Sequence, residues 1–138
     1  FLPNTFAFNS KVKAPKQNIQ KAILLLKQLG YTKENPFTFE LITNANNSTR
    51  VYAAQILQYQ LAKANINMTI RVMEWQAFLN TIVMPKNYEA ILLGWGLSLM
   101  PDAKPLWHSS SIQKGGFNLV NYQNSEVDKL ISQGAKTI

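Results

Sequence analysis

Apolar residues recur every third or fourth position after Asn18. Ala22, Ile23, Leu25, Leu26 and Leu29 predict an amphipathic helix, and Gly30 stands where a left-handed C-terminal cap belongs. The period then changes to two. Phe37, Phe39 and Leu41 alternate with Thr38, Glu40 and Ile42, which predicts a strand. Thr43 to Thr49 is a polar, Asn-rich loop, with Ser48 as the expected N-cap of a second helix. Val51, Ala54, Leu57, Leu61 and Ala64 form that helix's stripe, and Asn65 ends it. Ile66, Met68, Ile70 and Val72 alternate with polar residues as a second strand. Trp75, Phe78, Leu79 and Ile82 suit a short helix stopped by Pro85. Tyr88 to Leu93 is a third strand, apolar on both faces toward its end, as expected of a central strand covered on both sides.

The flanks are less regular. Residues 1–17, with Pro3 and Pro15, have no period and predict an extended lead-in. After Gly94-Trp95-Gly96 the pattern breaks up. Lys104 to His108 allow one helical turn, and Gly115-Gly116 marks a turn. Ser125 with Asp128 three residues on resembles a capping box ahead of a last helix through Leu130 and Ile131. Strand, helix, strand, helix, strand with right-handed crossovers predicts an α/β fold with a mostly parallel sheet flanked by helices. In such folds ligands sit beyond the carboxyl ends of the strands.

A length of 138 residues suits one domain, and 46% hydrophobic content is too high for disorder. A start at Phe1 rather than Met, and an end at Ile138 within a helical pattern, suggest part of a longer chain. The lack of cysteine excludes a disulfide scaffold, thiol catalysis and thiolate metal sites. No apolar run approaches the ~18 residues of a membrane span. The net charge of +7 is concentrated early: Lys11, Lys13, Lys16, Lys21, Lys27 and Lys33 all precede the first acid, Glu34. A basic end of this kind can attract phosphate backbones or anionic surfaces. These lysines are not interleaved with aromatics, so a solvated helix face and its lead-in explain them, and no nucleic-acid partner is expected.

Catalytic chemistry finds little support. His108 is the single histidine, beside Ser109, Ser110 and Ser111, with no nucleophile elbow, and is expected at a loop or helix end. One His and seven scattered acids do not make a zinc site. Gly94-Trp95-Gly96 follows a strand but lacks the rest of a phosphate cradle. Glu74, Glu89 and Asp102 are too dispersed for an acid/base pair. No cofactor is implied. Trp75 and Trp95, in contrast, each follow a strand of one parallel sheet and can flank one crevice, where aromatic rings supply contact area at low entropic cost. The alternative for either ring is packing beneath the loops.

Five segments carry a resemblance. Lys21 to Tyr31 resembles a Lys-Ala-x-x-Leu-Leu-x-x-x-Gly-Tyr helix, and Gln60 to Ile66 is similar to a Gln-Leu-x-Lys-x-Gly-Ile helix exit. Glu74-Trp75 with Phe78-Leu79 resembles Glu-Trp-x-x-Phe/Tyr-Leu. Tyr88 to Trp95 is similar to a strand ending in Gly-Trp, and Asn121 to Leu130 resembles Tyr-x-Asn-Pro-Glu-Val-Asp-Lys-Leu. In this order and spacing they resemble the extracellular solute-binding proteins of family 5, which include dipeptide-, oligopeptide- and nickel-binding proteins.

The resemblance implies one lobe of a type II periplasmic binding protein fold, with residues 18–138 as part of the C-terminal lobe. It further implies a missing N-terminal lobe, a peptide or small-molecule ligand, an ABC permease as membrane partner and no enzymatic activity. The location would be periplasmic, or extracellular and lipid-anchored in a Gram-positive source. Trp75 and Trp95 correspond to pocket tryptophans, with Gly94, Gly96, Ser98, Asp102 and Asn44 beside them. The family's aspartate for a peptide amino group falls at Ser98, and its carboxylate-binding arginines fall at Asn44, Ile82 or Leu92. These departures argue against free dipeptides as ligands. The remaining alternatives are a basic nucleic-acid- or anionic-surface-binding module and an α/β hydrolase.

Overall fold

The computed structural model describes residues 8–96, 102–113 and 115–136. Residues 8–18 contain a turn closed by Val12 N–H to the Asn9 carbonyl, and no strand or helix. Helix α1 spans Ile19–Gln28, with the Asn18 side chain accepting from Lys21 N–H at its start. At its end Gly30 takes φ +87°. Tyr31 N–H then reaches Leu26 O and Gly30 N–H reaches Lys27 O, the paired bonds of a Schellman cap.

Strand β1 spans Phe37–Asn44, helix α2 Ser48–Ala62, strand β2 Ile66–Met73 and the short strand β3 Ala90–Ile91. All pair in parallel, in the order β2-β1-β3. This corrects the expected placing of the third strand. β1 is central, and β3 pairs with β1 alone among the described residues. Leu92 N–H to Ile42 O carries that pairing one residue further. The apolar run at β3 arises because both faces are covered even here. Ala90 and Leu92 enter one core, with Leu41, Ala54 and Met68. Ile91 and Leu93 enter the other, with Ile42, Phe78, Ile82, Val83 and Leu119. A period-two strand must alternate in this way.

The first core lies under α2. The second lies under helix α3, Trp75–Phe78, which runs directly into a π-helical turn at Leu79–Val83. Phe78 is completely buried there, a burial that contributes about 2–3 kcal/mol. The wider turn, with Met84 N–H reaching Leu79 O, places both Ile82 and Val83 in the core. The expected polar loop at Thr43–Thr49 is shorter than its composition suggests. Thr43 and Asn44 belong to β1 and are buried, with Thr43 Oγ1 donating to Leu92 O.

Helix α4 is one turn, Lys104–Trp107, and helix α5 spans Ser125–Gly134. Both predicted serine caps move one residue toward the amino end. Asn47 caps α2 and Asn124 caps α5, so Ser48 and Ser125 become first helical residues. Asp128 is not part of a capping box. It accepts from Ser109 N–H and Ser109 Oγ at 2.9 and 2.5 Å and ties α5 to the end of α4. The α5 helix closes at Gly134, and the expectation for Ile138 lies outside the described residues.

Candidate functional site

The carboxyl ends of β2, β1 and β3 form one edge. With β1 in the middle, residues following β2 and β3 stand about two strand spacings apart, or ~10 Å. Trp75 follows β2. It is half-buried, packs on the Ile42 core, and its ring lies 6.4 Å from that of Phe78. Glu74 precedes it and caps α3 by accepting from Ala77 N–H. That backbone bond first, and a second from Gln76, hold the Glu74 carboxyl below its ordinary value.

Trp95 follows β3. Its odd-numbered neighbours Ile91 and Leu93 enter the Ile42 core. Its ring meets Phe117 edge-on at 5.6 Å, two residues from the core residue Leu119. Trp75 thus packs on the Ile42 core, and Trp95 follows a segment whose Ile91 and Leu93 enter the same core. They differ in exposure: Trp75 shares the core, whereas Trp95 is 49% exposed and Phe117 46%.

Between them, at the end of β1, Asn44 is only 3% exposed. Its Nδ2 donates to Asn46 Oδ1 and its Oδ1 accepts from Arg50 Nη1 at 2.8 Å. Arg50 stands in the first turn of α2, and its guanidinium extends across to Gly94. A methyl group on Gly94 would lie 3.1 Å from Arg50 Nη2, so a side chain there would displace the guanidinium by a few tenths of an ångström. Gly96 has no neighbour of this kind and is exposed. Asp102 Oδ1 accepts from Lys104 N–H at the start of α4. Ser98 lies outside the described residues. The structure thus gathers Asn44, Gly94, Arg50 and the two tryptophans at one edge of the sheet.

Arg50 and Phe117 were missed in the sequence. For Arg50 a signal existed: positions 46, 53 and 54 are Asn, Ala and Ala, so no acid lies where a helix neighbour would pair with it. Phe117 gave none, because only the fold returns it to Trp95. Ile82 and Leu92 sit in the cores on opposite faces of the sheet. A separate hollow of ≈ 190 Å³, lined by Ile19, Ala22, Leu57, Leu61, Ala64 and Ile66 among others, opens between α1 and α2. It lies toward the amino end of β2.

His108 sits at the end of α4, as expected. Its Nδ1 faces Ser110 N–H at 3.1 Å and Asp128 Oδ1 at 3.8 Å, and its Nε2 faces Ser132 Oγ at 3.4 Å. This looks like a Ser-His-Asp relay but has the wrong polarity. Nδ1 accepts from a backbone N–H, so in the neutral ring the proton sits on Nε2, which then has no lone pair for Ser132. No three His, Cys, Asp or Glu residues come together as a metal site among the described residues. No described helix is long and apolar enough to cross a membrane.

Comparison with known proteins decides the family. Residues 1–117 match the bacterial extracellular solute-binding proteins, family 5 middle region. The chain belongs to that family. It is 34% identical to the oligopeptide-binding protein AppA of Bacillus subtilis, over 99% of this chain and 27% of that protein. It is 33% identical to the nickel-binding protein NikA of Staphylococcus aureus, over 99% of this chain and 28% of that one. Among solved structures, AppA of Bacillus subtilis in complex with a nonapeptide superposes with a TM-score of 0.82 at 32% identity, covering 96% of this chain and 29% of AppA. The periplasmic binding protein DppA of Helicobacter pylori, in complex with a peptide, gives 0.80 at 28% identity, covering 96% and 26%. The family 5 chain therefore spans about a quarter of the length of the relatives it matches, and its fold is an α/β part of a type II periplasmic binding protein.

Proposed function

We propose that this chain is one lobe of the solute-binding component of an ABC importer, and that it takes a peptide or a related small solute at the carboxyl edge of its sheet. The observation that carries this reading is Trp95. A large amphipathic ring half open to solvent, at the place where α/β sheets receive ligands, has more contact area to offer than its own loop uses. Names of relatives support the class: oligopeptide binding for AppA and nickel binding for NikA.

A solute stacks on Trp95 and the exposed part of Trp75. Gly94 and Gly96 offer backbone groups and Asp102 a polar one, while Asn44 is buried beneath them with its amide already bonded to Asn46 and Arg50. The opposite lobe closes over it, residues 1–17 lead in from that other part, and residues 18–138 form part of the C-terminal lobe. The loaded protein docks on a membrane permease. It works in the periplasm or, in a Gram-positive cell, outside the membrane on a lipid anchor. It carries cargo and performs no catalysis, a reading that the polarity of the His108 network supports.

The test is Trp95→Ala in the intact protein, after mass spectrometry has identified the solute that co-purifies with it. Affinity for that solute should fall about tenfold or more, since a buried aromatic contact is worth ~2 kcal/mol, while the melting temperature of the empty protein holds. Unchanged affinity would remove the strand-end site.

A further inference from the structure

We infer that Lys86 is a positioning residue of the strand-end site: its ammonium holds Phe117 edge-on to Trp95 and so fixes the ring on which the solute stacks. The inference rests on the strand-end reading above and extends it to a side chain that does not touch the solute.

The backbone at Lys86 favours a different residue. It closes the π-helical turn with the paired bonds of a Schellman cap, Lys86 N–H to Val83 O and Asn87 N–H to Ile82 O, and takes φ +59°. Glycine is the default there, and Gly30 fills the equivalent place after α1. A lysine at such an angle carries a backbone penalty that glycine does not. What it brings in return is its side chain. Nζ donates to Ile112 O at 2.8 Å, to Asn118 O at 2.9 Å and to Asn121 Oδ1 at 2.7 Å. An ammonium has three donors, and all three are used. Lys86 therefore keeps none for a solute, and no acid among the described residues forms an ion pair with it.

These bonds join the two segments that meet at the site. Lys86 opens the run that continues through β3 to Trp95, and Asn118 directly follows Phe117. Tyr88 adds a second tie by donating its hydroxyl to Leu119 O. Bonds from an ionised donor are roughly twice as strong as neutral ones, so the Lys86 ammonium is the principal tie. Neither Trp95 nor Phe117 belongs to a helix or strand. Their mutual setting, 74° between ring planes at 5.6 Å, is therefore governed by what links their segments. Two half-exposed rings at that angle form an apolar corner. A corner fixed before the solute arrives binds more tightly than one that must be ordered on binding.

The experiment labels the intact protein with 5-fluorotryptophan and reads its fluorine NMR spectrum without solute. Trp95→Phe and Trp75→Phe identify the two lines by their loss. Lys86→Met should move the Trp95 line toward its position in Phe117→Leu and leave the Trp75 line in place. Lys86→Gly, which removes the backbone penalty, should do the same, so backbone strain is not what moves the line. Lys86→Cys treated with 2-bromoethylamine regains an ammonium the same number of atoms from the backbone and should return the line to its parent position. Calorimetry with the co-purified solute as probe should show binding weakened about threefold to tenfold in Lys86→Met, the cost of ordering a side chain on binding. A Trp95 line that stays in place in both Lys86→Met and Lys86→Gly overturns the inference. So does a line that moves while affinity holds, when Trp95→Ala weakens binding. If Trp95→Ala also binds normally, the strand-end reading falls first and the positioning role falls with it.

Discussion

Gly116 is held by space alone. A methyl group there would stand 2.0 Å from the Ser111 carbonyl oxygen and 2.6 Å from its carbon, both backbone atoms that cannot swing aside. Asn118 N–H donates to that same oxygen, so moving it breaks a bond at a completely buried residue. Gly116→Ala should therefore destabilise the protein by about 1–3 kcal/mol. Gly96→Ala, with nothing within 4 Å, should leave the melting temperature unchanged. Thermal unfolding of the two variants beside the parent checks this, and equal melting points would show that the 111–118 loop is softer than its bonding implies. The contrast also marks a limit of sequence reading. Gly115-Gly116 was legible as a turn because glycine permits the φ of +87° at Gly115. The clash that requires the second glycine depends on a contact five residues back.

Elements were legible where a period repeats and illegible where two good choices stand side by side. The helices and strands through Val83 lie where their hydrophobic periods place them, although Leu25 and Leu29 of the α1 stripe, Leu57 of α2 and Val72 of β2 are exposed. The two caps do not, because Asn47-Ser48 and Asn124-Ser125 are each a pair of equally good N-cap residues. The asparagine wins in both, with extended backbone at φ −132° and −157°. That shift releases Asp128 from capping and lets it join α5 to the end of α4. Hydrogen bonds from Ser109 Oγ and then Ser109 N–H hold the Asp128 carboxyl below its ordinary 3.8, with the charge of nearby His108 adding less. A carboxyl whose pKa is depressed by folding contributes stability that is complete above its unfolded value. The contribution is lost as pH falls below 3.8 and through the lower folded value. Asp128→Asn should thus lower stability at pH 7 and flatten the acid limb of a stability–pH profile below pH 4. An unchanged acid limb, measured by denaturant unfolding at several pH values, would show that the α4–α5 link has no such role. The site was half legible for the same kind of reason. Trp75, Trp95 and Asn44 follow strands that can be read, whereas Arg50 enters from the start of a helix whose boundary was set one residue late.

At the scale of the molecule, two cores on opposite faces leave β1 buried at its carboxyl end, so the edge carrying Asn44, Trp75 and Trp95 rests on a rigid base. Among the described residues nothing covers Trp95 at this edge. Trp95 and Phe117 lie edge to face and each keeps nearly half its surface in water. A small solute laid on them would cover one side of itself only. Leaving roughly 100 Å² of apolar ligand surface wet forfeits about 2.5 kcal/mol, close to a hundredfold in Kd. Tight binding therefore requires a second surface, and the proposed closure of a second lobe around the solute would supply it. In the intact protein, saturation with the co-purifying solute should reduce the radius of gyration in X-ray scattering. It should also shift tryptophan emission to shorter wavelength as the Trp95 ring leaves water. Trp95→Ala, at a solute concentration high enough to saturate it, should retain the compaction and lose most of the shift, because Trp75 is already half-buried on its core. Emission that moves without any compaction would mean that the solute rests on an open lobe, and the clamshell part of the reading would then be wrong even though the site is right.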